Sequence, residues 1–159
     1  MPLSLYSGRK FRWLKELYAA QRINTPSLVI DTDEIGSILK LFTKYLPEVQ
    51  LFYAVKANNT SALLQYLKEK GINFDVASAP EIQAVRALNV ESSRLILSNP
   101  IKSQETINAF LVNDVRLTVI DNIFDLEMLE KAAQERGIST SAIGIFVRIR
   151  IPSTEVKLT

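Results

Sequence analysis

The chain has 159 residues, of which 47% are hydrophobic and 23% charged, and its net charge at pH 7 is +2. This composition is typical of a globular protein that buries a sizeable core, and it excludes a disordered chain. The sequence contains no cysteine and no histidine, which excludes disulfides and thiolate metal sites and argues against zinc centres and hydrolase triads.

The small net charge gives no basis for expecting a nucleic-acid or membrane partner. No apolar run reaches membrane-spanning length, and the N-terminus lacks the apolar core of a signal peptide. We therefore predict a cytoplasmic protein without a metal site.

The N-terminal region predicts an arm that precedes a larger domain. A helix is predicted around residues 11–21, and its basic residues alternate with apolar ones, as in an amphipathic helix. The segment "TPSLVID" (25–31) predicts a short strand that begins near Pro26, and "DEIGSILKLFTKYL" (33–46) predicts a second helix. We assign residues 1–33 to the arm and residues 34–159 to the domain.

From residue 51 onward, strand and helix patterns alternate. The strand patterns are "LFYAVKA" (51–57), "INFDVAS" (72–78), "RLILSNP" (94–100), "RLTVID" (116–121) and "IGIFVRIRI" (143–151). The helical patterns are "TSALLQYLKEKG", "APEIQAVRALN", "SQETINAFLVND" and "IFDLEMLEKAAQERG". Strands that alternate with helices at this spacing predict βαβ units and a parallel sheet.

Local residues support these boundaries. Gly71 and Gly137 each follow a predicted helix, where a left-handed residue ends the helix well. Ser78 and Glu81 have the spacing of a capping box, with Pro80 in the first turn.

Two α/β architectures fit this alternation: an open doubly wound sheet and a (β/α)8 barrel. No G-x-G-x-x-G follows a strand and no G-x-x-x-x-G-K is present, so the dinucleotide and P-loop versions of the open sheet lack their signatures. A barrel needs eight units, whereas about five are found. We therefore expect part of a TIM-type barrel, with two strand edges that need partners.

Polar residues collect where the predicted strands end, which is where parallel α/β folds bind ligands. These residues are Lys56, Asp75, Ser78, Asn99, Asp121 and Arg148. A lysine buried at such an edge has a lowered pKa, and its neutral amine forms a Schiff base with an aldehyde. The pattern thus indicates carbonyl or pyridoxal phosphate (PLP) chemistry at Lys56.

Each of these residues also has a simpler explanation, which the residues alone leave open. The simpler roles are a snorkelling surface lysine at Lys56, helix caps at Asp75 and Asp121, a turn at Asn99, a capping box at Glu81 and an ion pair at Arg148.

In combination, however, the segments resemble one family. "FYAVKAN", "FDVASAPEI", "ILSNPIKS", "TVID" and "VRIR" resemble, in order and spacing, successive motifs of the fold-type III PLP-dependent decarboxylases, which act on ornithine, lysine, arginine or diaminopimelate. The resemblance covers residues 24–152 and is nearest the ornithine/lysine branch. It implies an alanine-racemase-like PLP barrel.

The resemblance also implies roles for individual residues. Lys56 would hold PLP as a Schiff base, Asp75 and Glu81 would lie close to it and orient it, and Arg148 would line the pocket near the cofactor. Ala54, Ser78 and Asn99 would support the site, and Asp121 carries over least well. The implied reaction is decarboxylation of a basic amino acid, ornithine or lysine, to its amine.

In that family, further barrel strands, a C-terminal β-domain and the phosphate-binding loop follow the part that resembles this chain. The resemblance therefore implies an ordered fragment, a truncated product or one half of a split enzyme, inactive without the missing half. The partners it implies are an amino-acid substrate and either a second copy in a homodimer or a complementary C-terminal half. The alternatives are a noncatalytic regulator that binds a protein and a PLP-binding racemase or carrier. Retention of both Lys56 and Asp75 argues against the regulator, and "SNPIKS" against the racemase.

Overall fold

A computed structural model describes residues 8–24 and 26–149 of the chain. By internal contacts the chain divides into two compact units, Met1–Lys40 and Leu41–Thr159. The division falls inside the second helix, so the predicted domain start at residue 34 stays a prediction.

Helix α1 spans Gly8–Ala19 and helix α2 spans Thr32–Tyr45. Both lie within a few residues of their predicted positions. Asp31 starts α2, because its Oδ1 accepts the backbone N–H groups of Asp33 and Glu34, each at 3.0 Å. A side-chain acceptor at this position satisfies N–H groups that have no partner within the helix.

The short strand predicted over residues 25–31 is wrong where it can be compared with the structure. Residues 26–31 form no strand, and residue 25 lies outside the described residues. A strand exists only when its backbone pairs with a neighbour, and Leu28 is instead 80% exposed.

The second unit is built around five parallel strands in the order of the sequence. The strands are β1 (Phe52–Ala54), β2 (Asn73–Val76), β3 (Leu95–Leu97), β4 (Leu117–Ile120) and β5 (Gly144–Val147). The connecting helices are α3 (Ser61–Glu69), α4 (Ala79–Ala87), α5 (Gln104–Val112) and α6 (Ile123–Gln134). The order shows no reversal, as in a barrel; a doubly wound sheet would reverse at its switch point.

The four helices that connect the strands are each followed by a residue with a positive φ angle. The sequence predicts this residue after two of the helices, where it is a glycine. Gly71 and Gly137 have positive φ angles of 76° and 64°. The turns after α4 and α5 use Asn89 and Asp114 instead, with φ of 57° and 58°. Asparagine and aspartate tolerate this conformation better than other residues with a side chain.

One face of the sheet forms the core over its three central strands. The side chains that β2, β3 and β4 place on this face are buried: Phe74, Val76, Leu95, Leu97, Thr118 and Ile120. Helix residues such as Ile82, Phe110 and Leu129 are buried with them. The helix face is therefore packed over these three strands, which explains why β2 and β4 show a buried residue at every second position. On β5 the side chains of the same face, Ile145 and Val147, are exposed.

The opposite side of the sheet, which we call the open face, carries Phe52, Ala54, Asn73, Asp75, Ile96, Leu117, Val119 and Phe146. None of these side chains is buried. In a closed (β/α)8 barrel this side would be the interior.

No helix of the described residues is long and apolar enough to cross a membrane, and the cytoplasmic location stays a prediction.

Candidate cofactor site

Lys56 lies directly after β1, at the carboxyl edge of the sheet. The strand ends at Ala54, and Val55–Ala57 form one 3₁₀ turn. In such a turn successive side chains point in different directions, so Val55 is fully buried while Lys56 is exposed. Two alternatives were open for Lys56, a buried amine and one that reaches the surface. The structure shows the second, and the place of Lys56 at the strand end is as expected.

Two hydrogen bonds of Asn58 hold the turn that carries Lys56, one to a residue before the turn and one to a residue after it. The Tyr53 hydroxyl donates to the Asn58 carbonyl oxygen at 3.1 Å, and the Asn58 side-chain oxygen accepts the Thr60 backbone N–H at 2.9 Å. Burial raises the pKa of Tyr53 above its usual value, and the bond to Asn58 partly offsets the shift. The segment Ala57-Asn58-Asn59 thus joins β1 to the start of α3.

Asp75 lies on the open face, in the strand next to Lys56. It pairs in register with Ala54 on β1 and Ile96 on β3, so the three side chains share that face. The Ser98 hydroxyl donates to the Asp75 Oδ1. Asp75 is therefore a strand carboxylate held by a neighbouring strand, and its alternative role as a helix cap is wrong.

Asn99 and Glu81 order the loop that follows β2. The Asn99 side-chain amide donates to the Ala77 carbonyl oxygen at 2.9 Å, and the Glu81 Oε2 accepts the Ala77 backbone N–H at 2.8 Å. Both backbone groups of Ala77 are therefore satisfied by side chains. Asn99 also holds its own turn, because its Oδ1 accepts the Ile101 N–H at 3.1 Å.

The predicted capping box at Ser78 is not formed. Ser78 occupies the cap position of α4, but its side chain makes no capping hydrogen bond, and Glu81 reaches Ala77 rather than Ser78. Asp121 does not cap α6 either. That role belongs to Asn122, whose Oδ1 accepts the Asp125 N–H at 2.9 Å, while Asp121 accepts from the Asn122 amide.

Arg148 lies one residue past β5, and its side chain is exposed. Its backbone N–H still donates to the Ile120 carbonyl oxygen at 2.8 Å. Among the described residues, no hydrogen bond or ion pair joins Arg148 or Lys56 to the Asp75–Ser98 pair. The structure thus brings Asp75, Asn99 and Glu81 into one hydrogen-bonded edge, with Lys56 and Arg148 exposed at the ends of β1 and β5.

Lys102 is a second lysine at this edge, and the sequence did not single it out. Its side chain is 1% exposed. The ammonium donates to the carbonyl oxygens of Asn99 at 2.8 Å and Val119 at 2.5 Å, and lies 3.9 Å from Asp125 Oδ2. Burial lowers the pKa of Lys102, and the charges of Asp125 and Asp121 oppose the shift. A lysine two residues after Asn99-Pro100 was the only sequence sign of this bridge.

The lowered pKa of Lys102 predicts how stability depends on pH. Between this pKa and the usual value of 10.5, the folded chain binds fewer protons than the unfolded chain. The contribution of the amine to the free energy of unfolding therefore rises with pH through that window. We expect the unfolding free energy of the wild type minus that of Lys102→Met to increase there, as measured by urea denaturation. A flat or falling difference would contradict the burial argument.

Ser98 was also missed, although a signal for it exists. It lies two residues after Ile96, so alternation places it on the open face, and its backbone N–H continues the β2–β3 pairing by donating to the Val76 carbonyl oxygen at 3.1 Å. The sequence could show this position but not that the hydroxyl reaches Asp75.

These groups fit PLP. Lys56 offers an exposed primary amine, which an aldehyde can reach. Asp75 offers a carboxylate whose position a second strand holds. The open face beside it carries half-buried apolar side chains, including Phe52 and Ile96, that suit an aromatic ring.

Comparisons with known proteins identify the family of the chain. The pyridoxal-binding domain of the pyridoxal-dependent decarboxylases matches residues 32–157. The lysine/ornithine decarboxylase of Selenomonas ruminantium is 35% identical over 113 residues, which are 71% of this chain and 29% of that enzyme. The chain thus spans less than a third of the length of this relative.

Solved structures show the same fold. The lysine decarboxylase from Selenomonas ruminantium superposes with a TM-score of 0.74 at 30% identity, over 92% of this chain and 35% of that one. The arginine decarboxylase of Paramecium bursaria Chlorella virus gives a TM-score of 0.76 at 27% identity, over 89% and 38%. The expected family, the partial-barrel fold and the cofactor PLP are confirmed. This chain belongs to the pyridoxal-dependent decarboxylases, through their pyridoxal-binding domain.

Proposed function

We propose that this chain forms the cofactor-binding part of a PLP-dependent decarboxylase of basic amino acids and that Lys56 is the residue to which PLP attaches. The observation that supports this most directly is the position of Lys56, an exposed amine directly after β1. The neighbouring strand β2 carries Asp75, whose carboxylate accepts a hydrogen bond from Ser98. Parallel α/β folds place their ligands at this edge.

The residues of the chain divide the work by their chemistry. PLP, when bound, withdraws electrons from the α-carbon of an amino acid. The Lys56 amine anchors the cofactor and, once released from it, can carry a proton. The fixed Asp75 carboxylate can accept a hydrogen bond and so orient the groups near Lys56. The Glu81 carboxylate stabilises the loop after β2, because it accepts the backbone N–H of Ala77.

The substrate class rests on the relatives. The similar enzymes are named as lysine/ornithine and ornithine decarboxylases. One similar crystal structure, of the protein called SrLDC, is a complex with PLP and cadaverine. We infer a diamine-forming reaction of ornithine or lysine. Because the chain spans 29% of its relative in Selenomonas ruminantium, we further infer that decarboxylation needs the part that this chain does not span, for example as a complementary C-terminal half. A homodimer is the other partner that we propose.

The test is to map where PLP attaches. The 159-residue chain is incubated with PLP, reduced with borohydride to make the carbon–nitrogen bond permanent, and digested for mass spectrometry. We expect Lys56 to be labelled at PLP concentrations at which other exposed lysines, such as Lys70 and Lys131, remain unlabelled. Titration with PLP gives the concentration for half-labelling of each lysine.

Equal labelling of Lys56, Lys70 and Lys131 across the titration would overturn the proposal. The chain would then lack an organised cofactor site and would fit the alternative role, a noncatalytic regulator that keeps the fold and binds a protein. A preference for Lys102 would also overturn it, since burial lowers the pKa of that amine.

A further inference from the structure

The buried ammonium of Lys102 joins three elements at the carboxyl edge of the sheet. It donates to Asn99 in the loop after β3 and to Val119 in β4, and it pairs with Asp125 in the first turn of α6. Val119 is 17 residues from Lys102 in sequence, so one group links the loop after β3 to the two elements that follow α5.

From Lys102, hydrogen bonds lead to the proposed cofactor site. Lys102 holds the carbonyl of Asn99, and the side chain of Asn99 holds the loop after β2 through Ala77. Ser98, the residue immediately before Asn99, donates to Asp75. The position of the Ser98 hydroxyl therefore depends on how the backbone at Asn99 is held.

Packing alone does not explain a charge here. Burying an ammonium costs free energy, and a well-packed apolar side chain often replaces a buried ion pair without loss of stability. The Asp125 Oδ2 is buried without a hydrogen-bond partner among the described residues, so the pair is not an ideal one. The ammonium provides directional hydrogen bonds that an apolar side chain would lack. They hold the carbonyl oxygens of Asn99, in the loop after β3, and Val119, in β4.

We propose that Lys102 is a positioning residue that, through Asn99 and Ser98, holds the Asp75 carboxylate in place for PLP attached to Lys56. This inference rests on the proposed function. It assigns to the lysine of "SNPIKS" a role that involves no contact with the cofactor.

The test compares Lys102→Met with Lys68→Met. Lys68 is a matched control, because its ammonium also bridges two elements by donating to a backbone carbonyl oxygen, that of Leu88, at 2.7 Å. Its bridge joins the last turn of α3 to the residue that follows α4, away from the carboxyl edge. For each variant of the 159-residue chain, the PLP concentration for half-labelling of Lys56 and the urea midpoint are measured.

We expect Lys102→Met to raise the half-labelling concentration about tenfold, because a small displacement of a supporting residue is costly at a site. Lys68→Met should change it less than twofold, whatever its effect on the urea midpoint. Ser98→Ala should reproduce the effect of Lys102→Met, and the two changes together should add little, since both act on Asp75.

If Lys102→Met does not fold, Lys102→Met/Asp125→Asn removes the carboxylate left unpaired, and the same tenfold rise is expected. Labelling of Lys56 at the wild-type concentration in the Lys102 variant or in Ser98→Ala would overturn the inference while leaving the proposed function intact. A wild-type chain without selective labelling at Lys56 would overturn the proposed function and this inference with it.

Discussion

Lys56→Arg is expected to reduce borohydride-trapped PLP on the 159-residue chain to the background level of its surface lysines. Arginine keeps the positive charge and much of the length of lysine, but its guanidinium does not lose its proton in proteins. It therefore offers no neutral amine to condense with the aldehyde of PLP. Because the Lys56 side chain is exposed, the change leaves the core untouched, and the urea midpoint should not move.

The matched control for this prediction is Lys70→Arg. Lys70 is also exposed, but it lies at the end of α3, before β2 begins, and so at the opposite edge of the sheet. Labelling of the Lys70 variant should equal that of the wild type. Loss of labelling in both variants, or its persistence in Lys56→Arg, would contradict the assignment of Lys56.

The repeating elements of the fold could be predicted because the periodicity of apolar residues is a local property. All five strands and the helices between them were found where strand and helix patterns alternate. The strand over residues 25–31 failed for the opposite reason. A strand needs a hydrogen-bonded neighbour, and a favourable local sequence such as "SLVI" does not say whether one is present.

The site could be predicted in position but not in contacts. Alternation and parallel topology place Lys56, Asp75 and Asn99 at one edge, and the structure agrees. Which groups touch depends on the register between neighbouring strands. That register decides that the Ser98 hydroxyl reaches Asp75 and that the buried ammonium of Lys102 reaches the carbonyl oxygen of Val119. The exposure of Lys56 depends on the 3₁₀ turn, which no residue of "AVKA" requires.

Phe74→Ala is expected to lower the free energy of unfolding by about 3–5 kcal/mol. Phe74 is fully buried on the helix face of β2, in register with Tyr53 on β1 and Leu95 on β3. Its removal takes apolar surface out of contact with both neighbouring strands and leaves a cavity that β-sheet backbone cannot collapse to fill. Since domains have a total stability of about 5–15 kcal/mol, the loss should be visible as a large drop in the urea midpoint.

Phe146→Ala is the control, because it removes the same side chain from the other side of the same sheet. Phe146 lies on the open face of β5 and is 56% exposed, so its truncation leaves no enclosed cavity and should cost less than about 1 kcal/mol. Equal losses for the two variants would mean that the open face is covered in solution, and would contradict the division of the sheet into a packed and an open side. A loss confined to Phe74→Ala would show that the helix face alone holds this unit together, leaving the open face free for the cofactor.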